Sequence, residues 1–166
     1  MLSLESGILL FMQYPGYNTG NALLTEGGWF PFRIHKLVHL QDEERYYILE
    51  DINGLKHFIP AEYYKMYGFK PGDEIICKIE KLNCTGRMFL EPRHPVYNEG
   101  ETYSFDLVKY PTLNDPEILI VRDILENIIK VPLCGNKKSF RIGEKKVKCI
   151  VKSVKKGIPI LEMSSE

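Results

Sequence analysis

The chain has 166 residues, of which 44% are hydrophobic and 27% charged, with 22 basic and 22 acidic side chains. This composition supports a folded core and excludes a disordered chain. The longest apolar runs, residues 7–12 and 118–121, are far shorter than the roughly 20 residues of a membrane-spanning helix, and no signal peptide is recognisable, so we expect a cytoplasmic protein.

Residues 1–28 are predicted to form an N-terminal strand and linker. Residues 7–10 and 15–20 resemble residues 86–90 and 95–100, as though they ended a preceding module. A lone strand leaves backbone N–H and C=O groups unpaired, so we expect residues 7–11 to pair with the edge of a sheet. Pairing with a second copy of the chain would give a symmetric homodimer through residues 1–20.

Residues 29–98 are predicted to form module one. Its strands alternate apolar and polar residues between turn residues, and they cover residues 30–37, 45–50, 55–59, 74–82 and 87–91. Asn53 and Gly54 predict a tight hairpin turn. Residues 61–67 predict a short helix in which Tyr63 and Tyr67 share a face that plugs the barrel end. We expect Trp29 in the core as well.

Residues 101–166 repeat this pattern as module two. Residues 69–82 and 86–91 are echoed by residues 140–154 and 157–162, and the earlier strands also match, at a spacing of 71 to 73 residues. Strand parity superimposes three inward positions of the fourth strand, pairing Ile75, Cys77 and Ile79 with Val147, Cys149 and Val151. The repeat therefore predicts two modules of the same fold with equivalent cores.

Five strands with a short helix between the third and fourth are typical of an OB-fold barrel. An SH3-like barrel is the alternative, and it lacks a helix at that point. We therefore predict a mostly β protein built of two tandem five-stranded OB-like barrels, each with at most a short helix between strands three and four.

Four short segments of module one resemble a known family in their order and spacing. They are residues 47–51, 53–60, 70–79 and 86–90. Together they resemble the S-one-type RNA-binding domain, an OB-fold module. Module two keeps only the skeleton of this pattern. In that family, aromatic residues of strands two and three stack on bases, and basic residues near strand five contact phosphate. The resemblance implies Tyr46 or Tyr47, His57 or Phe58, and Arg87 as binding residues.

The charges are unevenly distributed along the chain. Residues 1–100 carry 10 basic and 13 acidic side chains, whereas residues 101–166 carry 12 and 9. The basic excess lies in residues 137–156. Within it, Lys146, Lys148 and Lys152 alternate along a predicted strand and could follow a phosphate backbone. The alternative is an ordinary solvated face.

No sequence motif indicates catalysis, a cofactor or a metal site. The carboxylates of residues 50–51 and 73–74 are adjacent in turns, where we expect them to be solvated. His35 and His39 lie on a predicted strand without a third ligand nearby. The cysteines form no CxxC pair, so we expect reduced and mostly buried thiols, at Cys77, Cys84, Cys134 and Cys149.

These observations predict a non-catalytic protein that binds single-stranded nucleic acid, RNA in preference to DNA. The alternative is a protein-interaction scaffold built of OB-like barrels, because fold alone does not decide function. The salt dependence of binding would separate the two, since a complex with a polyanion weakens steeply as salt rises.

Overall fold

The computed structural model of the protein describes residues 23–40, 44–84, 86–112, 117–133 and 143–164. The predicted strand at residues 7–11 and the predicted homodimer contact through residues 1–20 lie outside these ranges. So do Cys134 and the first part of the basic segment.

The first five strands form one antiparallel sheet. They are β1 (Trp29–His39), β2 (Arg45–Glu50), β3 (Lys56–Pro60), β4 (Glu74–Leu82) and β5 (Met88–Pro92), in the order β3-β2-β1-β4-β5. The next five form a second sheet of the same plan. They are β6 (Thr102–Lys109), β7 (Ile118–Arg122), β8 (Ile128–Pro132), β9 (Lys146–Lys155) and β10 (Ile158–Met163), in the order β10-β9-β6-β7-β8.

Each sheet curls into a nearly closed barrel, which confirms the predicted fold class. A 3₁₀ helix, Ala61–Tyr67, lies between β3 and β4 and ends at Gly68, whose φ of 72° is left-handed. This helix agrees with the OB-like plan and not with the SH3-like alternative. In the second barrel the corresponding connection contains residues 134–142, which lie outside the described residues.

The strand registers confirm the repeat residue by residue. Phe32 on β1 pairs with Ile75 on β4, and Phe105 on β6 pairs with Val147 on β9. The next inward pair is equivalent too, because Cys77 faces Phe30 as Cys149 faces Tyr103. Ile75 and Val147 therefore occupy the same place in the two barrels, as the sequence predicted.

The hairpin between the second and third strands is closed by a buried aspartate in both barrels. The Asp51 carboxylate accepts hydrogen bonds from the backbone N–H groups of Asn53 and Leu55, at 2.8 and 2.9 Å. The Asp123 carboxylate accepts the equivalent bonds from Leu125 and Asn127. Asp51 is 5% exposed, so the prediction that it is solvated was wrong. Its side chain replaces the water that the turn amides would otherwise need.

Contacts divide the chain into two compact units. The first contains the residues up to Ile59 and those from Lys70 to Leu90; the second contains Pro60–Phe69 and the residues from Glu91 onward. The 3₁₀ helix therefore belongs to the second unit. Within that unit, the Glu91 carboxylate accepts hydrogen bonds from the Tyr64 hydroxyl and from the backbone N–H of Lys156 and Gly157, at 3.3, 2.6 and 3.0 Å.

The prediction that Tyr63 and Tyr67 share a buried face of the helix is wrong for Tyr63. Ala61 and Tyr64 are the buried residues of the helix, whereas Tyr63 is 44% exposed. The helix is interrupted at Tyr64, whose φ of -120° and ψ of 16° are not helical, and the rings of Tyr64 and Tyr67 pack edge to face at 5.4 Å. The prediction assumed an uninterrupted α-helix. Trp29 is half-buried, with the Lys78 ammonium 5.8 Å from its ring.

Candidate nucleic-acid interface

An open cleft of about 630 Å³ lies on the first unit. It is bordered by the end of β1, by the outer faces of β2 and β3, and by the turn that leads into β5. Its lining is mostly apolar with two cationic side chains, and it consists of Leu40, Tyr46, Leu55, Lys56, His57, Phe58, Gly86, Arg87 and Met88.

Four of the five residues predicted for module one line this cleft: Tyr46, His57, Phe58 and Arg87. Tyr47 does not. Neighbours on a strand point to opposite faces, and Tyr47 is 8% exposed within the barrel core. Tyr46 points outward, where its hydroxyl donates a hydrogen bond to the Glu44 carboxylate. The tyrosine that can reach a ligand is therefore Tyr46.

His57 and Phe58 divide in the same way. His57 is 8% exposed, its Nε2 lies 2.8 Å from the Asp51 carboxylate, and its ring meets the edge of Phe32 at 5.9 Å. It contributes to the floor of the cleft. Phe58 is 51% exposed and lines the cleft beside Tyr46 and Leu55. Phe58 therefore presents the ring that a base could cover.

The two cations of the cleft differ in their surroundings. The Lys56 ammonium forms an ion pair with the Glu50 carboxylate. The Arg87 guanidinium instead lies over the Phe89 ring, 5.3 Å from its centroid. The backbone of Arg87 is fixed, because its N–H donates to the Asn83 side chain at 2.7 Å and its carbonyl accepts from the Asn83 N–H. Arg87 is thus the cation of this lining that no described carboxylate pairs.

The basic strand of the second unit is partly neutralised by its neighbours. Lys146, Lys148 and Lys152 are all exposed on β9. Lys146 lies 3.7 Å from Asp106 on β6, and Lys152 lies 2.8 Å from Glu162 on β10. The hydrogen bond that the Lys152 ammonium donates to the Glu162 carboxylate raises the pKa of Lys152 above its usual value. Lys148 has no ion pair among the described residues. The sequence could not show these pairs, because they depend on strand register.

The second barrel carries isoleucine and lysine side chains where the first has Arg87, Phe89 and Phe58. By the repeat, Ile158 corresponds to Arg87, Ile160 to Phe89 and Lys130 to Phe58. Ile128, Ile158 and Ile160 are between 42% and 58% exposed. We call these three residues the isoleucine face. It offers neither an aromatic ring nor a guanidinium at the equivalent positions.

Sequence reasoning missed the apolar part of the cleft lining, which is Leu40, Leu55 and Met88. Each lies at a strand end, where an apolar residue reads equally well as a core residue, so no local signal marks it. Leu40 and Leu55 are 50% and 60% exposed.

The described ranges contain no group of three His, Cys, Asp or Glu side chains placed to hold a metal ion. They also contain no helix long and apolar enough to span a bilayer. Of the three described cysteines, Cys77 and Cys149 are buried and Cys84 is exposed.

Comparison with protein-family models gives no match, and comparison with curated proteins gives none either. The likeness to the S-one-type domain therefore depends on the residues quoted above and on the fold.

Proposed function

We propose that the cleft of the first unit binds single-stranded nucleic acid, RNA in preference to DNA, without catalysing a reaction. One observation carries the proposal: Tyr46, Phe58 and Arg87, chosen from the sequence as ligand-binding residues, lie together on one open cleft. OB-folds bind oligonucleotides on the face of strands two and three and on the loops that border it. Here those elements are β2 and β3, with Leu40 just after β1 and with Gly86 and Arg87 just before β5. The preference for RNA follows from the family resemblance.

In this proposal the ligand is held mainly by stacking. A base placed on Phe58 or Tyr46 would cover an exposed ring and gain roughly 1 to 3 kcal/mol. Leu55 and Met88 would border the base and exclude water. Arg87 would contact a neighbouring phosphate. A duplex cannot use this cleft because its bases are already stacked and paired.

Binding of labelled 12-nucleotide RNA, DNA of the same sequence and the RNA duplex, followed by fluorescence anisotropy, tests the proposal. We expect single strands to bind and the duplex to bind much more weakly. Phe58→Ala and Tyr46→Ala should each weaken single-strand binding about 5- to 150-fold, the equivalent of 1 to 3 kcal/mol. Tyr63→Ala is the matched control, because it removes an exposed ring outside the cleft. Unchanged affinity in both cleft variants, shown to be folded, would remove the cleft from the site.

The lysines of β9 are proposed as a second contact, to phosphates. Their ion pairs with Asp106 and Glu162 are exposed, and exposed pairs contribute only about 0 to 1 kcal/mol, so a phosphate could replace them. Replacing Lys146, Lys148 and Lys152 with Glu should weaken binding and flatten its salt dependence by about 0.7 to 1 per lost contact. An unchanged slope would restrict the site to the first unit.

A second candidate function, protein interaction, is favoured by the isoleucine face of the second barrel. Exposed apolar side chains mark protein contacts where they form one contiguous patch, and these isoleucines lie on β8 and β10, two strands that contact each other. A complex made through this face should be insensitive to salt and should be lost in Ile128→Lys or Ile160→Lys. If the chain binds no oligonucleotide at low salt, this function becomes the better account.

A further inference from the structure

Arg87 and Phe89 form a stacked pair beside the cleft. They are two residues apart, so they lie on the same face of the chain as it enters β5, and the guanidinium carbon is 5.3 Å from the ring centroid. Phe89 is 45% exposed, but it does not line the cleft. Its ring therefore contacts the cation of the cleft and not the space inside it.

A guanidinium on a long side chain loses rotamer freedom when it binds a phosphate, and this lowers affinity. A ring face that already holds the cation reduces that loss, because cation–π attraction restrains the side chain before the ligand arrives. The two hydrogen bonds between Asn83 and Arg87 fix the backbone of Arg87 and add to the restraint. The Phe89 ring thus restrains the Arg87 guanidinium before a ligand binds.

The second barrel provides an internal comparison. It has Ile158 at the position equivalent to Arg87 and Ile160 at the position equivalent to Phe89. Both isoleucines are exposed, so core packing does not require an aromatic residue at this place in the barrel. The arginine and the ring are present together in one barrel and absent together in the other, as expected for a pair that acts as a unit.

We propose that Phe89 is a positioning residue that holds the Arg87 guanidinium at the cleft for contact with a ligand phosphate. This inference rests on the proposed function of the cleft. Phe89 acts through Arg87 and makes no contact with the bases.

A double-mutant cycle on single-stranded RNA binding tests the inference. Arg87→Ala should weaken binding about 10-fold or more, by loss of a charged hydrogen bond, and should flatten the salt dependence. Phe89→Ala should weaken it about 2- to 5-fold, by loss of the cation–π contact. The double variant should match Arg87→Ala alone, because Phe89 has no effect once the cation is gone. Multiplied effects in the double variant would show that Phe89 stacks on a base itself and would overturn the inference.

Conservative variants of Phe89 distinguish the effect of its aromatic ring from the effect of its side-chain volume. Phe89→Trp keeps a ring and should retain wild-type affinity, whereas Phe89→Leu should behave like Phe89→Ala. Equal binding by the Leu variant would contradict the inference. Ile160→Ala is the control at the equivalent position of the second barrel, and it should leave binding unchanged.

A measurement on the free protein separates the failure of this inference from that of the proposed function. In the wild type, the Phe89 ring current should shift the NMR signals of the Arg87 side chain upfield, and Phe89→Leu should remove the shift. Lack of any such shift contradicts the contact, whether or not RNA binds. Absence of RNA binding with the shift present removes the proposed function and, with it, the role of the pair.

Discussion

Gly157→Ala should destabilise the second unit far more than Gly86→Ala destabilises the first, although the two glycines are equivalent in the repeat. Both have left-handed backbones, with φ of 73° and 79°, so alanine costs about 1 to 2 kcal/mol at either position. At Gly86 nothing lies within 4 Å of an added Cβ, whereas at Gly157 the Tyr63 carbonyl oxygen would lie 2.5 Å away.

The extra loss of stability at Gly157 follows from the contacts that its turn makes with the 3₁₀ helix and with Glu91. A backbone oxygen cannot rotate aside, so the helix and the turn must separate. That movement strains the hydrogen bonds of the Glu91 carboxylate to Tyr64 and Gly157. Leaving buried polar groups without partners costs about 1 to 3 kcal/mol, and added to the backbone cost this gives about 2 to 5 kcal/mol for Gly157→Ala.

Urea unfolding followed by circular dichroism measures both variants against the wild type. A Gly157→Ala loss within about 0.5 kcal/mol of the Gly86→Ala loss, which is near the error of such comparisons, would refute the close packing of helix and turn. Gly143→Ala is a control inside the second unit, because φ is 98° there and the space around the added Cβ is open.

Two further predictions concern stability. His94 is 4% exposed and its Nδ1 accepts hydrogen bonds from the backbone N–H of Val96 and Tyr97; burial lowers its pKa, against a smaller opposing effect of Asp123. Below pH of about 6.5 the unfolded chain therefore takes up a proton that the folded chain does not. The free energy of unfolding should therefore fall as pH drops from about 7.5 to 5. The variant His94→Asn keeps a hydrogen-bond acceptor and should make that fall smaller when unfolding is measured as a function of pH. An unchanged pH profile in the variant would contradict this role of His94. Glu126→Gly should stabilise the protein by up to about 1 kcal/mol, because Glu126 has a φ of 65° at the position where the first barrel has Gly54. The substitution removes the exposed ion pair with Arg122. Clear destabilisation in thermal unfolding would contradict this prediction.

The sequence predicted the strands and the barrels because their signals are local and repeated. The alternation in β4 and β9 and the turn glycines do not depend on distant contacts, and the second copy of the pattern fixed the inward positions, such as Cys77 and Cys149. The candidate site was predicted less completely. Strand parity required one of Tyr46 and Tyr47 to be buried, but the sequence could not say which one, because both are apolar enough for the core.

What the sequence missed depends on strand register and on helix geometry. Tyr64 is buried instead of Tyr63 in a 3₁₀ helix that is interrupted at Tyr64, and apolar spacing does not predict such an interruption. The partial neutralisation of Lys146 follows from pairing with Asp106 across the sheet. The burial of Asp51 depends on the backbone N–H groups of the turn that donate to its carboxylate. The sequence does not show how those N–H groups are oriented.

The residue differences between the two barrels bear on how the proposed nucleic-acid ligand would be bound. Inward positions keep their character, since Phe32 and Phe105 occupy the same place in the two cores. Outward positions differ, since Ile158 and Ile160 stand where the first barrel has Arg87 and Phe89, and Lys130 stands where it has Phe58. Two barrels that bound the same strand of nucleic acid in the same way would need the same rings and cations on both faces. Under the proposed function, we expect the described part of the second barrel to contribute phosphate contacts through β9 or a protein contact through the isoleucine face, and the salt slope of the β9 variant decides between these roles.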